Sequence, residues 1–140
     1  MTKLKNRKAQ IMDAAEALCA QFGPHAVRLD QIAHKVGIKP PSIYTHFKNL
    51  DDVLAAVSKR GLQACLTVYD DLPTEISAVE ALNLTESRLI DLMVARPGVA
   101  RLILEALCLP GGAAAIGVHL SLAQQVNTHE QNLFDAAVAS

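Results

Sequence analysis

The sequence predicts an all-α protein, and three observations carry that expectation. Hydrophobic residues make up 51% of the 140 positions but aromatics only 4%, with no Trp. That excess of Ala, Leu and Val suits close-packed helices better than a β-sandwich. Apolar residues recur at three- and four-residue spacing, and Gly and Pro punctuate the chain between the periodic stretches. A chain of this length buries one core, or a small domain docked on a larger one.

The elements follow in order. Ile11, Ala14, Ala15, Leu18, Cys19 and Phe22 make one apolar stripe on a helix over residues 6–22, with Phe22 read as core, and Gly23-Pro24 ends it. A shorter helix over 29–36 buries Leu29, Ile32, Ala33 and Val36, and Gly37 supplies the left-handed stop. Pro40 and Pro41 are tolerable only in the first turn of a third helix, where amide hydrogens lack intrahelical partners. That helix is expected to run to about residue 47, with Ile43, Tyr44 and Phe47 turned inward or toward its rim. Asn49 reads as the N-cap of a fourth helix, with Asp51 and Asp52 in its first turn. Leu50, Val53, Leu54, Val57, Cys65 and Leu66 give it an apolar side over some twenty residues, and Leu72-Pro73 closes it. Further helices are expected at about 75–95, 97–109, 113–126 and 129–139, with Asn83-Leu84-Thr85 as a place for a bend. Arg96-Pro97-Gly98 and Pro110-Gly111-Gly112 are the punctuation.

The net charge of −1 conceals a split. Residues 1–60 hold ten Lys/Arg against five Asp/Glu, whereas residues 61–140 hold three against nine. A polyanion is attracted to the first half and repelled by the second, which points to two modules. Cys19, Cys65 and Cys108 are odd in number, widely spaced and flanked by apolar residues, the pattern of reduced, packed thiols; a redox sensor is the alternative. No apolar run reaches the length of a membrane span, and the basic start is followed by no cleavable apolar core, so the chain is expected to be cytoplasmic. Neither a metal constellation, a nucleophile with its base, nor a glycine-rich phosphate loop is present, so no enzyme, cofactor or metal is expected.

The segment from Leu29 to Leu54 is the most specific part of the chain. Two short helices joined by a glycine-pivoted turn form a wedge whose second helix fits the major groove of DNA. Phe22-Gly23, Ile32-Ala33, Val36-Gly37-Ile38, Ser42-Ile43-Tyr44, His46-Phe47 and Val53-Leu54 together resemble the TetR family of bacterial transcriptional regulators over residues 5–66. Arg96-Pro97-Gly98 is similar to a turn that many members carry later in the chain. The resemblance implies a DNA-binding domain over 1–66, with the helix-turn-helix at about 28–47. It also implies a helical ligand-binding and dimerisation domain over 67–140. The sequence departs from the family at Arg28, where a helix-capping hydroxyl is usual, at Pro41, where a small residue is usual, and at Leu50, which replaces a frequent lysine. Family members continue through two further long helices that build a dimer interface, whereas this chain ends at Ser140. The second domain is therefore expected to be partial, and the homodimer belongs to a full-length form.

On that resemblance Lys39, Pro40, Pro41, Ser42, Thr45 and His46 form the DNA-facing surface, and a solvated helix face is the bland alternative. Tyr44 offers its hydroxyl to phosphate, or is a buried Tyr with a satisfied hydroxyl. Arg28 and Lys48 are phosphate contacts, and Lys3, Lys5, Arg7 and Lys8 form a basic arm or a soluble tail. Tyr69, Met93, Leu102, Ile103 and His119 are candidates for a ligand cavity, with core packing the alternative for each. The expected activity is a repressor that a small-molecule effector releases from a double-stranded DNA operator. The competing expectation is a helical module that binds protein instead of DNA.

Overall fold

Six α-helices and two short 3₁₀ helices make up the described part of the chain, residues 2–108 and 120–140 of this computed structural model. The α-helices are α1 (Thr2–Phe22), α2 (Leu29–Val36), α3 (Leu50–Asp70), α4 (Ala78–Ala95), α5 (Pro97–Cys108) and α6 (Leu120–Ala139). The 3₁₀ helices cover Pro24–Ala26 and Pro40–Thr45. His119, the first half of the helix expected at 113–126, and the side chains of Lys3, Lys5 and Cys108 lie outside the described residues.

Local chemistry accounts for the boundaries. Gly37 stops α2 at φ 79°, and its N–H bonds back to the carbonyls of Ala33 and His34. The Asn49 side chain accepts from the Asp52 N–H at 2.9 Å, while Asp52 Oδ2 accepts from the Lys48 N–H at 3.1 Å, so both sides of the α3 start are satisfied. Ser77 and Glu80 form a reciprocal capping box at the start of α4. Arg28 occupies the α2 N-cap in extended conformation. A guanidinium has no acceptor, so the box there is half made: Gln31 Oε1 accepts from the Arg28 N–H at 2.9 Å.

Four expectations change. The third helix is a 3₁₀ helix of six residues, not an α-helix reaching Phe47. Its bonds from Ser42 N–H to Lys39 and from His46 N–H to Ile43 span three residues, the 3₁₀ pattern, with Ile43 and Phe47 seated in the core. The bend considered at 83–85 is absent. The fully buried Thr85 hydroxyl donates to the Ala81 carbonyl at 2.8 Å, which satisfies it inside a continuous α4. Phe22 is 51% exposed rather than core; it walls a shallow groove between α1 and α2 with Leu18 and His34. The stretch from Leu120 onward also runs as one helix, since no Gly or Pro divides it.

One core unites the two halves of the chain. Ile11, Ala15 and Cys19 of α1, Ile32 and Ala33 of α2, and Val53 and Val57 of α3 are buried together with Ile43 and Phe47. Val99 and Leu102 of α5 enter the same cluster. Glycines permit that insertion: a Cβ at Gly61 would collide with Val99, and one at Gly98 would collide with the Glu16 carbonyl. Beside the apolar seam lies an ionic one. Arg96, the last residue before α5, makes two bonds to the Glu16 carboxylate, at 2.6 and 3.1 Å. Arg60 of α3 donates to Glu16 at 2.8 Å and to Asp13 at 2.6 Å. Burial raises the Glu16 pKa, but the bonds from Arg96 and Arg60 outweigh it and hold the carboxyl below its ordinary value. Cys19 and Cys65 are buried free thiols; burial, then Glu105 and Glu16, pushes Cys19 up to about 11, and burial raises Cys65. Neither is a ready thiolate.

Candidate nucleic-acid interface

The turn from Lys39 to Lys48 is anchored from below and free above. Ile43 is fully buried and Phe47, just past the end of the 3₁₀ helix, is 4% exposed, so the turn is pinned to the core at both places. A period of three then sets the other rows. Lys39, Ser42 and Thr45 share one row, all exposed, and Pro41 and Tyr44 share the next, also exposed. Tyr44 is 59% exposed, so it is a rim residue and not a buried phenol. Pro40 is exposed at the start, Lys48 is exposed beyond the end, and His46 is half-buried in the row of Ile43. An α-helix would have brought His46 round beside Ser42; the tighter winding turns it toward the protein.

The charges on this face differ in availability. Among the described residues Lys35, Lys39 and Lys48 form no ion pair, and no carboxylate pairs with Lys8. Arg28, by contrast, donates from Nε and Nη2 to the two oxygens of Asp30 at 3.1 and 3.0 Å. Its guanidinium is presented to solvent already half-neutralised. Lys8 was read from the sequence only as part of an amino-terminal arm. It lies on α1 with its Nζ 5.3 Å from the centre of the Phe47 ring, a cation–π contact that places it beside the exposed turn. Counting along a helix started at Thr2 could have put Lys8 on the face of Ile11 and Ala15, but nothing local pairs it with Phe47. Lys35, in the last turn of α2, was passed over for the same reason; its exposed charge suits that helix end.

The candidate cavity residues separate. Leu102 is 4% exposed within the core, and Met93 and Ile103 pack against it. Tyr69, at the end of α3, is 7% exposed and stacks on His129 of α6 at 5.1 Å. Among the described residues no group of three or more His, Cys, Asp or Glu is placed to hold a metal ion. No described helix is long and apolar enough to cross a membrane.

Residues 11–57 match the family profile described as bacterial regulatory proteins, tetR family. The chain is 30% identical over 88 residues to an uncharacterized HTH-type transcriptional regulator, YobS, of Bacillus subtilis, covering 63% of this chain and 46% of that protein. It is 30% identical over 94 residues to the fatty acid metabolism regulator protein of the same organism, covering 66% and 48%. Thus the chain spans about half the length of the curated relatives it matches. The solved structure of the regulator FadR from Bacillus subtilis in complex with stearoyl-CoA superposes with a TM-score of 0.67 at 25% identity, covering 84% of this chain and 65% of that one.

Proposed function

We propose that this chain, which belongs to the TetR family of bacterial regulatory proteins, binds double-stranded DNA as a repressor and is released from its operator by a small-molecule effector. The observation that carries the DNA reading is the core-anchored turn with Lys39, Ser42 and Thr45 in one exposed row, flanked by Lys8 and Lys48. Ser42 and Thr45 are able to reach base edges or phosphates, whereas the lysines supply charge neutralisation. Pro40 and Pro41 stiffen the approach, and Tyr44 offers its hydroxyl at the rim. Arg28 contributes least, because Asp30 competes for its guanidinium.

The head extends to about residue 66 and the effector acts on the helices after it. Two copies present their turns to successive major grooves, about 34–36 Å apart. The seam of Arg96, Glu16 and Arg60 offers the mechanical link, since it ties the α4–α5 junction to the first helix of the head. An effector that favours a different packing of α4 and α5 changes the separation of the two turns and lowers operator affinity.

The test is a mobility shift with bulk genomic DNA against salt concentration. A DNA-binding head gives affinity that falls steeply with salt, by a slope of about 0.9 per phosphate neutralised. Absence of any shift at low salt would favour the alternative, a protein-binding helical module.

A further inference from the structure

We infer that the exposed turn selects thymine: the rings of Pro41 and Tyr44 and the methyl of Thr45 pack on the C5-methyl groups that thymines present in the major groove. The operator half-site then carries A·T pairs where the turn lies. The inference rests on the reading of this chain as a DNA-binding regulator, and it names the base that its turn distinguishes.

The composition of the turn leaves little room for the other direct codes. In the major groove guanine is read by Arg or Lys, adenine by the paired donor and acceptor of Asn or Gln, and cytosine by a carboxylate. From Lys39 to Lys48 the chain has no Arg, Asn, Gln, Asp or Glu. The side-chain amides that flank the turn in sequence are committed within the protein. Gln31 Oε1 accepts from the Arg28 N–H at 2.9 Å, and Asn49 Oδ1 accepts from the Asp52 N–H at 2.9 Å. Asp52 itself accepts from the Lys48 N–H. His46 is half-buried, which leaves Lys39 and Lys48, at the two ends, suited to guanine or to phosphate. The Ser42 hydroxyl bonds to more than one base and discriminates little.

What the turn offers between its two lysines is mainly carbon. Pro41 and Tyr44 are exposed in one row of the 3₁₀ helix, and Thr45 is exposed in the next. The thymine methyl is the apolar group in the major-groove code, and it is the match for such a surface. The surface is also set in place before DNA arrives. Proline fixes its own backbone angle, and Ile43 and Phe47 anchor the turn from beneath, so contact forfeits little conformational freedom. One 3₁₀ turn separates Pro41 from Tyr44, a rise of about 6 Å. That is about two base-pair steps of roughly 3.4 Å, so a turn lying along the groove meets methyls at neighbouring pairs.

A preference for A·T pairs has a rival source, the narrow minor groove of stiff A-tracts, which proteins read by shape. The two sources differ in a single group. Deoxyuridine keeps the pairing and the minor-groove edge of thymidine and lacks only the methyl, so it tests the contact directly.

The experiment selects tight-binding sequences from randomised duplexes with the full chain, then measures mobility shifts on the selected duplex with each thymine replaced in turn by deoxyuridine. Thymine should be enriched at two or more neighbouring positions, and each contacted methyl removed should weaken binding about fourfold, the equivalent of about 0.8 kcal/mol for one buried carbon. Thr45→Ser deletes one methyl and keeps the hydroxyl, so it should erase the thymine–uracil difference at one position and preserve it at the others. Tyr44→Ala should do the same at a different position. Both residues are exposed, and thermal melts matching wild type would show that the variants fold. Equal affinity for thymine and uracil duplexes, or a selected site without thymine beside the turn, would overturn the inference. A thymine–uracil difference that survives in both variants would assign the preference to shape and overturn it equally. The reading beneath it fails separately: no binding to any duplex at low salt removes the regulator itself, whereas binding that ignores the methyl leaves the regulator standing.

Discussion

Replacing Glu16 by Gln keeps the shape of the side chain and removes its charge from a junction that three helices share. In the folded protein the Glu16 side chain is 17% exposed, and its two guanidinium partners, Arg96 and Arg60, are 23% and 31% exposed. Breaking a fully buried ion pair from one side costs about 3–5 kcal/mol, and an exposed pair is worth about 0–1 kcal/mol. This junction lies between those limits, and Gln retains one acceptor for Arg96 or Arg60, so a loss of about 2 kcal/mol is expected. For a chain of this length that corresponds to a fall in Tm of roughly 5–10 °C. The assay is thermal unfolding by circular dichroism near pH 7, repeated with Arg96→Ala and with the double variant. The double variant should fall below Arg96→Ala by less than Glu16→Gln falls below wild type, because the Arg96 contact is already gone and only the pair with Arg60 remains to be lost. The pH dependence adds an independent check. The folded Glu16 carboxyl titrates below its ordinary value of 4.5, so its stabilisation is present at neutral pH and is lost as pH falls through the folded value. Wild type and Glu16→Gln should therefore converge in stability as the pH falls from 4.5 through the lower folded value. A Tm within a degree of wild type at pH 7, or a difference that persists undiminished at pH 3, would refute this account of the junction.

Other outcomes follow from the same structure. Ile43→Ala should lower stability by about 2–5 kcal/mol in chemical denaturation, since the residue is fully buried and is the anchor of the exposed turn. Lys39→Ala and Lys48→Ala should each reduce the slope of log affinity against log salt by about one in the mobility-shift titration, whereas Arg28→Ala should change it less. Gly37→Ala and Gly61→Ala separate two roles of glycine. The first should cost about 1 kcal/mol from its left-handed backbone alone, because a Cβ there meets no atom within 4 Å. The second, where a Cβ strikes Val99, should cost about 1–3 kcal/mol by forcing α5 away from α3. Urea titration of both variants checks the ordering.

Much of the architecture could be read from residue order because its causes are local. Gly37 and Asn49 bound their helices through bonds made within four residues, so their neighbours suffice to place them. The 3₁₀ winding of Pro40–Thr45 was only half legible. The two prolines announced a helix start, but the balance between a three- and a four-residue period depends on how Ile43 and Phe47 seat in the core. Phe22 illustrates the opposite failure. Its place on the apolar stripe of α1 is correct by periodicity, yet its ring is left half exposed while Cys19 in the same turn is buried, and periodicity carries no information about cover. Met93, Leu102 and Ile103 were indistinguishable from cavity residues in sequence, because apolar side chains line cores and pockets alike. Lys8 could not be joined to Phe47 by any local rule across 39 positions.

Residue order alone determined that this chain is helical, where most of its helices start and stop, and that its cationic half differs from its acidic half. Those properties arise from backbone donors, left-handed turns and side-chain charge, which act over a few residues or sum over many. Only the tertiary structure decided that α5 shares the core of α1, α2 and α3, that Glu16 draws Arg60 and Arg96 together, and that Tyr69 stacks on His129. Each of these joins residues tens of positions apart, and such pairings are set by how whole helix faces pack and by which charges that packing strands.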